Sequence, residues 1–203
     1  KGRTLAVPKS GTRPTSERVR EALFSRLDHM NVLNGTTVLD LYAGTGALGL
    51  EALSRGAARA TLVEKASAAA RVASANVSAT GLSARVVTAD ARSYLCARTG
   101  EDLRGDVDLV FIDPPYDIPE ADMTAVLSLL GPWIGPDALV VVERSTRAPA
   151  PTWPPFLVLE DQRTWGETVA YFAGPPLPTE DSEGGVSAPE EAEASSMSEE
   201  DPR

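Results

Sequence analysis

The 203-residue sequence predicts one α/β domain built on a mostly parallel β-sheet with helices on both faces. Five short, nearly continuous apolar runs alternate with helical stretches, as is typical of parallel strands that are buried on both faces. Two further runs near the C-terminus flank a short turn, which predicts an antiparallel hairpin and a total of seven strands. The length suffices for one such domain with a buried core.

The first predicted element is a helix that follows a basic arm, residues 1–15. Thr15 is the predicted N-cap, and Val19, Leu23 and Leu27 recur at helical spacing. Because the chain begins with lysine rather than methionine, we expect it to be a trimmed or processed form whose true start is missing.

The remaining elements alternate regularly along the chain. The predicted parallel strands are residues 37–42, 60–63, 84–89, 107–112 and 138–142. The predicted helices between them are residues 47–55, 67–80, 92–98 and 120–130. Residues 156–163 and 168–172 form the predicted hairpin, so that residues 16–174 make up the folded domain.

The net charge of -10 is concentrated in a C-terminal tail. Residues 177–203 hold nine acidic residues and one basic residue, whereas residues 1–30 hold seven basic and three acidic residues. The tail, residues 175–203, is rich in Pro, Glu, Ser and Gly, and this composition predicts disorder. The acidity of the whole chain therefore does not exclude nucleic-acid binding by its basic N-terminal part.

Other classes of protein are disfavoured by what the sequence lacks. No apolar stretch approaches the roughly 18 residues of a membrane span. Cys96 is the only cysteine and His29 the only histidine, so no metal-ligand spacing can be recognised. We expect a cytoplasmic monomer that uses neither a metal nor a membrane.

Acidic residues stand at the ends of the first four predicted strands. Asp40 lies near the end of the first strand, and the ends of the next three are followed by Glu64, Asp90 and Asp113. In open α/β sheets, ligands bind beyond the carboxyl ends of the strands, so these side chains should face one crevice. Each acid alone could equally be a helix cap or a turn residue. The four together favour a binding site.

A glycine-rich loop after the first strand predicts an adenosine-containing cofactor. Residues 40–49 read Asp-Leu-Tyr-Ala-Gly-Thr-Gly-Ala-Leu-Gly, and Glu64 follows about one βα unit later. Glu64 is suited to the ribose hydroxyls and Asp90 to the adenine amino group. The loop fits NAD and S-adenosylmethionine equally well. The candidate cofactor-binding residues are Asp40, Tyr42, Ala43, Gly44, Gly46, Glu64, Lys65, Asp90 and Ala91.

The sequence Asp113-Pro114-Pro115-Tyr116 favours methyl transfer to an amino group. The Asp113 carboxylate and the Pro114 carbonyl can accept both N–H bonds of a planar amine, which aims its lone pair at a methyl donor. The prolines remove competing N–H donors and hold the acceptors in place. Tyr116 offers a flat face on which an extruded base can stack. The alternative interpretation is an ordinary proline turn.

These motifs resemble those of the RsmD family of bacterial enzymes, which methylate a guanine N2 in 16S ribosomal RNA. The similarity lies in residues 113–116, 40–49, 13–24 and 48–56, and extends from about residue 2 to residue 172. It implies a Rossmann-like class I methyltransferase fold, with residues 16–174 as the methyltransferase domain. It also implies S-adenosyl-L-methionine as cofactor, and 16S rRNA within the 30S subunit or its assembly intermediate as partner.

The resemblance also implies roles for residues at the N-terminus. Thr15 would lie beside the cofactor, and Arg3, Lys9, Arg13 and Arg18 would contact RNA. The family's usual N-terminal start is shortened here, so RNA contacts that reside in it cannot be assigned.

Three alternatives remain open at this point. Another planar amine, DNA adenine N6 or a protein glutamine, could be the methyl acceptor, because the four-residue motif alone does not choose among them. An NAD-dependent oxidoreductase could use the same glycine loop. A binding module could retain the fold without the chemistry.

Overall fold

The structure is a computed structural model that describes residues 17–97, 106–115 and 117–177. Its helices are α1 (Glu17–His29), α2 (Ala47–Ser54), α3 (Ser67–Thr80), α4 (Ala91–Cys96) and α5 (Glu120–Ser128). Its strands are β1 (Thr37–Asp40), β2 (Arg59–Glu64), β3 (Ala84–Thr88), β4 (Val107–Ile112), β5 (Ile134–Ser145), β6 (Val158–Trp165) and β7 (Thr168–Gly174).

The seven strands form one sheet in the order β3-β2-β1-β4-β5-β7-β6. The first five strands in this order pair in parallel, and β7 runs antiparallel to both β5 and β6. The predicted mostly parallel sheet with its C-terminal hairpin is therefore confirmed. The strand order reverses between β1 and β4, so a crevice opens there at the carboxyl ends of the strands.

Two apolar clusters cover the two faces of the sheet. One cluster joins α1 and α2 to the sheet through residues such as Phe24, Leu62 and Phe111. The other joins α4 and α5 to the sheet through residues such as Leu95 and Met123. Because both faces are covered, β4 reads as a nearly continuous apolar run rather than an alternating one.

Helix α1 lies on the sheet with its N-terminal end towards the crevice. The Phe24 ring packs on Phe111 of β4 at a centroid distance of 5.8 Å. Arg55, which follows the end of α2, donates to Asp28 near the end of α1 at 2.5 Å. Since α2 runs away from the carboxyl edge of the sheet, this contact places the end of α1 at the opposite edge.

Most elements differ from their predicted bounds at one end or both. Strand β5 starts at Ile134 rather than residue 138, because Ile134 pairs with Val107 beyond an irregularity in the β4 register. Helix α4 begins at Ala91, one residue before the predicted start. The hairpin turn is shorter than expected because Trp165 pairs with Thr168, and Gly166 adopts a φ of +61°.

Two predicted segments lie outside the described residues: the arm, residues 1–15, and the tail from residue 178. Among the helices described, none is long and apolar enough to cross a membrane.

Candidate active site

The glycine loop after β1 turns sharply and leaves its backbone open to a ligand. Gly44 and Gly46 have φ values of +55° and +84°, which L side chains rarely adopt. The Gly46 N–H donates to the Ala43 carbonyl at 2.6 Å, closing the turn. A Cβ on Gly44 would meet no atom within 4 Å, so a ligand can approach the main chain there.

Gly49 serves packing rather than ligand access. A Cβ at this position would overlap Leu62 Cδ2, so only glycine lets α2 sit this close to β2. The Gly49 N–H donates to Asp40 Oδ2 at 3.1 Å, which ties the first turn of α2 to the end of β1. This is the role expected of the third glycine in a nucleotide-binding loop.

The Glu64 carboxylate connects the glycine loop to the segment after β2. Its Oε2 accepts from the Gly44 N–H at 2.8 Å, and its Oε1 accepts from the Ala66 N–H at 2.6 Å. An ionised carboxylate can accept about four hydrogen bonds, so it retains capacity for two ligand hydroxyls. Glu64 is thus fixed at the crevice as a preoriented acceptor.

Asp90 acts as a helix cap as well as a candidate ligand. Its Oδ1 accepts from the Ser93 N–H at 3.2 Å at the start of α4, and the exposed Lys65 lies 3.3 Å from Oδ2. Partial burial raises the pKa of Asp90, but the Ser93 hydrogen bond and Lys65 outweigh it, and the pKa is lowered. Asp90 is therefore ionised at neutral pH and can still accept from a ligand.

The Asp113-Pro114 pair stands directly after β4, between β1 and β5 in the sheet. Pro114 is buried, and the Ile118 N–H donates to the Pro115 carbonyl at 3.1 Å, so the segment closes into a turn before α5. Both prolines lack an N–H, so residues 114 and 115 offer no main-chain donor.

Asp40 is enclosed rather than exposed to the crevice. Its side chain is 1% exposed, and burial, followed by the charges of Asp113 and Glu64, raises its pKa to about 7 against the hydrogen bond from Gly49. Its Oδ1 is buried without a hydrogen-bond partner among the described residues. Asp40 therefore orders the loop from beneath.

Two residues of this region were missed by the sequence analysis. Asn76 of α3 is buried and its Nδ2 donates to the Thr45 carbonyl at 3.0 Å, which holds the glycine loop from outside. Its signal was a polar residue on the apolar side of α3. Glu143 is buried near the end of β5, with Asp113 and Asp40 close enough to raise its pKa. Its signal was an acid that directly follows the apolar run of residues 138–142.

The remaining predicted site residues divide into three groups. Tyr42 is half-buried, with a pKa that burial, Asp90 and Asp122 raise to about 12, while Ala43 and Ala91 are buried beside the loop ends. Arg18 is exposed in the first turn of α1. The others lie outside the described residues: Arg3, Lys9, Arg13, Thr15 and Tyr116.

The acidic residues of the crevice do not form a metal site. Within residues 17–97, 106–115 and 117–177, no group of three His, Cys, Asp or Glu side chains has an arrangement that could hold a metal ion. The arrangement fits an adenosine-containing ligand better, because Glu64 and Asp90 lie at the ends of adjacent strands beside the open backbone of Gly44.

The chain is similar to known proteins over most of its length. The family model described as conserved hypothetical protein 95 matches residues 1–174. Ribosomal RNA small subunit methyltransferase D of Escherichia coli K12 is 39% identical over 173 residues, which cover 84% of this chain and 83% of the relative. The Haemophilus influenzae protein of the same name is 33% identical over 165 residues, 81% and 84% of the two chains.

A solved structure supports the same assignment. The Escherichia coli protein yhhF, described as a candidate methyltransferase, has a TM-score of 0.72 and 36% identity over 86% of this chain and 93% of its own. The resemblance seen in the motifs thus extends over the whole folded domain. The chain belongs to the RsmD family of methyltransferases, whose relatives carry the name ribosomal RNA small subunit methyltransferase D.

Proposed function

We propose that this chain transfers a methyl group from S-adenosyl-L-methionine to the exocyclic N2 amino group of a guanine in 16S rRNA. The observation that carries the proposal is the position of Asp113 and the buried Pro114 at the carboxyl end of β4, beside the reversal of strand order. The relatives' names supply the class of RNA, small-subunit ribosomal RNA.

The cofactor pocket would be formed by the loop after β1 and the ends of β2 and β3. Glu64 would accept from the ribose hydroxyls, since its carboxylate already faces the Gly44 backbone at 2.8 Å. Asp90 and the start of α4 at Ala91 would meet the adenine, with Lys65 nearby. Asp40, Tyr42, Ala43, Gly44 and Gly46 would shape the pocket floor and loop, and Thr15 would approach it from the arm.

Catalysis would depend mainly on positioning. Bound S-adenosylmethionine supplies a methyl group already activated by its sulfonium. Asp113 and the Pro114 carbonyl would hold the two amino hydrogens so that the nitrogen lone pair points at the methyl carbon. The Asp113 carboxylate also favours the positive charge that develops on the nitrogen. Tyr116 would stack on the base.

The RNA backbone would bind on the side of the crevice where α1 begins. Arg18 is exposed in the first turn of this helix, and Arg3, Lys9 and Arg13 precede it in the chain. Basic side chains that contact phosphates release counterions, so RNA binding should weaken steeply with salt. The partner would be the 30S subunit or an assembly intermediate rather than a protein or a membrane.

The decisive experiment is transfer of tritiated methyl groups to 30S subunits that lack the modification, followed by mapping of the labelled base. We expect one labelled guanine, labelled at N2. Label on adenine, on ribosomal protein glutamine, or on no component would contradict the proposal. Calorimetric titration with S-adenosylhomocysteine and with NAD distinguishes a methyltransferase from an oxidoreductase. A methyltransferase should bind S-adenosylhomocysteine, whereas the oxidoreductase alternative requires tight binding of NAD alone.

A further inference from the structure

Glu143 is a buried acid that the proposed chemistry does not yet use. It lies near the carboxyl end of β5 within a buried stretch of that strand and is 4% exposed. Its Oε1 is enclosed and has no hydrogen-bond partner among the described residues. A buried polar group without a partner costs free energy, and such groups in native proteins are uncommon enough to indicate a role in binding or catalysis.

The sheet register places Glu143 beside Asp113. Ile112, the last residue of β4, pairs with Val142 of β5; Asp113 directly follows Ile112, and Glu143 directly follows Val142. Parallel strands lie about 4.8 Å apart, so the two side chains leave neighbouring points of the sheet edge. Pro114 restricts the Asp113 backbone to an extended conformation, and the Asp113 charge is close enough to raise the pKa of the Glu143 carboxyl. Glu143 therefore lies next to the position proposed for the acceptor amino group.

We propose that Glu143 determines base specificity: its carboxyl accepts a hydrogen bond from the N1–H of guanine and donates one to O6. The inference rests on the proposed function, because it takes the N2 amino group to lie between Asp113 and Pro114. Along that edge, guanine presents N2–H, N1–H and O6 in sequence. With N2 held at Asp113, the next two atoms require one acceptor and one donor side by side, as in a neutral carboxyl.

The surroundings of Glu143 favour that neutral form. Burial, followed by the negative charges of Asp113 and Asp40, raises its pKa to about 8, so the carboxyl carries a proton at neutral pH. Arg144, the next residue, points to the opposite face of the sheet, where it lies 3.5 Å from Glu120. The cation therefore does not neutralise Glu143, and the proton remains available to the base.

Adenine would form fewer hydrogen bonds with Glu143 than guanine would. With its amino group at Asp113, adenine presents an N1 without hydrogen and then a C–H, so at most one hydrogen bond forms. The same holds for 2-aminopurine, which retains the amino group of guanine but lacks both N1–H and O6. This analogue therefore separates recognition by Glu143 from acceptance of the amino group by Asp113 and Pro114.

The test compares methylation of 30S particles whose 16S rRNA carries guanine or 2-aminopurine at the mapped target. It measures kcat/KM for the wild type, Glu143→Gln, Glu143→Met and the control Glu160→Gln, an exposed acid of β6. We expect the wild type to prefer guanine by roughly 10- to 100-fold, the worth of a bidentate base contact. Glu143→Gln, whose amide offers the same acceptor and donor, should retain this preference, and so should the control.

Glu143→Met, which offers neither, should abolish the preference. Calorimetric measurement of S-adenosylhomocysteine binding verifies that each variant is folded. The comparison of guanine with 2-aminopurine in the wild type tests the inference even if a variant does not fold. A wild type without preference for guanine overturns the inference, as does a preference that survives in Glu143→Met or is lost equally in Glu143→Gln. A wild type that methylates neither particle contradicts the proposed function instead.

Discussion

The backbone N–H of Gly44 donates a 2.8 Å hydrogen bond to Oε2 of Glu64, so the loop after β1 and the acid that ends β2 form one rigid unit. The loop is also held from below by Asp40, through Gly49 at 3.1 Å, and from α3 by Asn76, through Thr45 at 3.0 Å. A pocket that is preorganised in this way loses little conformational freedom when a ligand binds.

Glu64→Gln should weaken cofactor binding much more than it weakens the fold. The amide loses one acceptor oxygen and the negative charge, and hydrogen bonds to charged groups are worth roughly 1.5–3 kcal/mol. We expect an increase of about 10- to 100-fold in the Kd for S-adenosylhomocysteine, measured by calorimetry. The Tm should fall modestly, because the amide NH2 would face one of the two backbone N–H donors, Gly44 or Ala66. Glu160→Gln, on the exposed edge strand β6, provides the control. An unchanged Kd would remove Glu64 from the pocket.

Gly49→Ala and Gly44→Ala should fail in different ways. The added methyl at Gly49 would overlap Leu62 Cδ2, and overpacking of this kind costs about 1–3 kcal/mol. At Gly44 the methyl meets open space, and the cost of the left-handed φ of +55° is only about 1–2 kcal/mol. Urea denaturation should therefore give Gly49→Ala the lower free energy of unfolding. Gly44→Ala should instead show the larger increase in the Kd for the cofactor for each kcal/mol of stability that it loses. The reverse ranking would contradict the close packing of α2 on β2.

Asp113→Ala should abolish methyl transfer and leave cofactor binding intact. Loss of a group that stabilises developing charge reduces kcat by roughly 100- to 1000-fold. Asp117→Ala, an exposed acid four residues further along the same loop, is the matched control and should remain active. Tritiated methyl incorporation gives kcat, and calorimetry with S-adenosylhomocysteine gives the Kd. Full activity of Asp113→Ala would exclude the proposed acceptor role.

The stability of the chain should fall as the pH rises from about 4 to 7, in part because of Asp40. Its pKa is about 7 in the fold against an ordinary value of 3.8, so in this range the folded state binds more protons than the unfolded state. Protonated Asp40 thus makes its whole contribution to the free energy of unfolding below pH 4, and this contribution is lost above pH 7. A shift of this size corresponds to about 4 kcal/mol.

Asp40→Asn removes this titration while its side-chain oxygen can still accept from Gly49. We expect its free energy of unfolding to depend less on pH between 4 and 7 than that of the wild type, and its Tm to exceed the wild-type Tm at pH 8. Chemical denaturation across this pH range measures the first quantity, and thermal unfolding at pH 8 measures the second. Parallel pH profiles for the two proteins would show that Asp40 is not the group concerned.

Most of the architecture could be predicted because it is encoded in local patterns. The apolar run of β4 and the helical spacing in α1 depend only on which residues must be buried on each element. The glycine loop and Asp113-Pro114 were equally visible, since left-handed φ values and missing N–H donors are properties of glycine and proline themselves. The bounds of the strands and helices were less predictable. Strand β5 starts before its predicted first residue because pairing with β4, rather than its own sequence, extends it.

The sequence by itself thus determined the succession of strands and helices along the chain, the glycine-rich loop and the Asp-Pro-Pro-Tyr segment. Only the tertiary structure decided which acids meet. Asp90 caps α4 in addition to facing the crevice, Asp40 is enclosed beneath the loop, and Glu143 comes to lie beside Asp113. The physical reason is that burial and charge proximity depend on the register between strands that are distant in the chain. One residue of slip would turn Glu143 to the opposite face of the sheet.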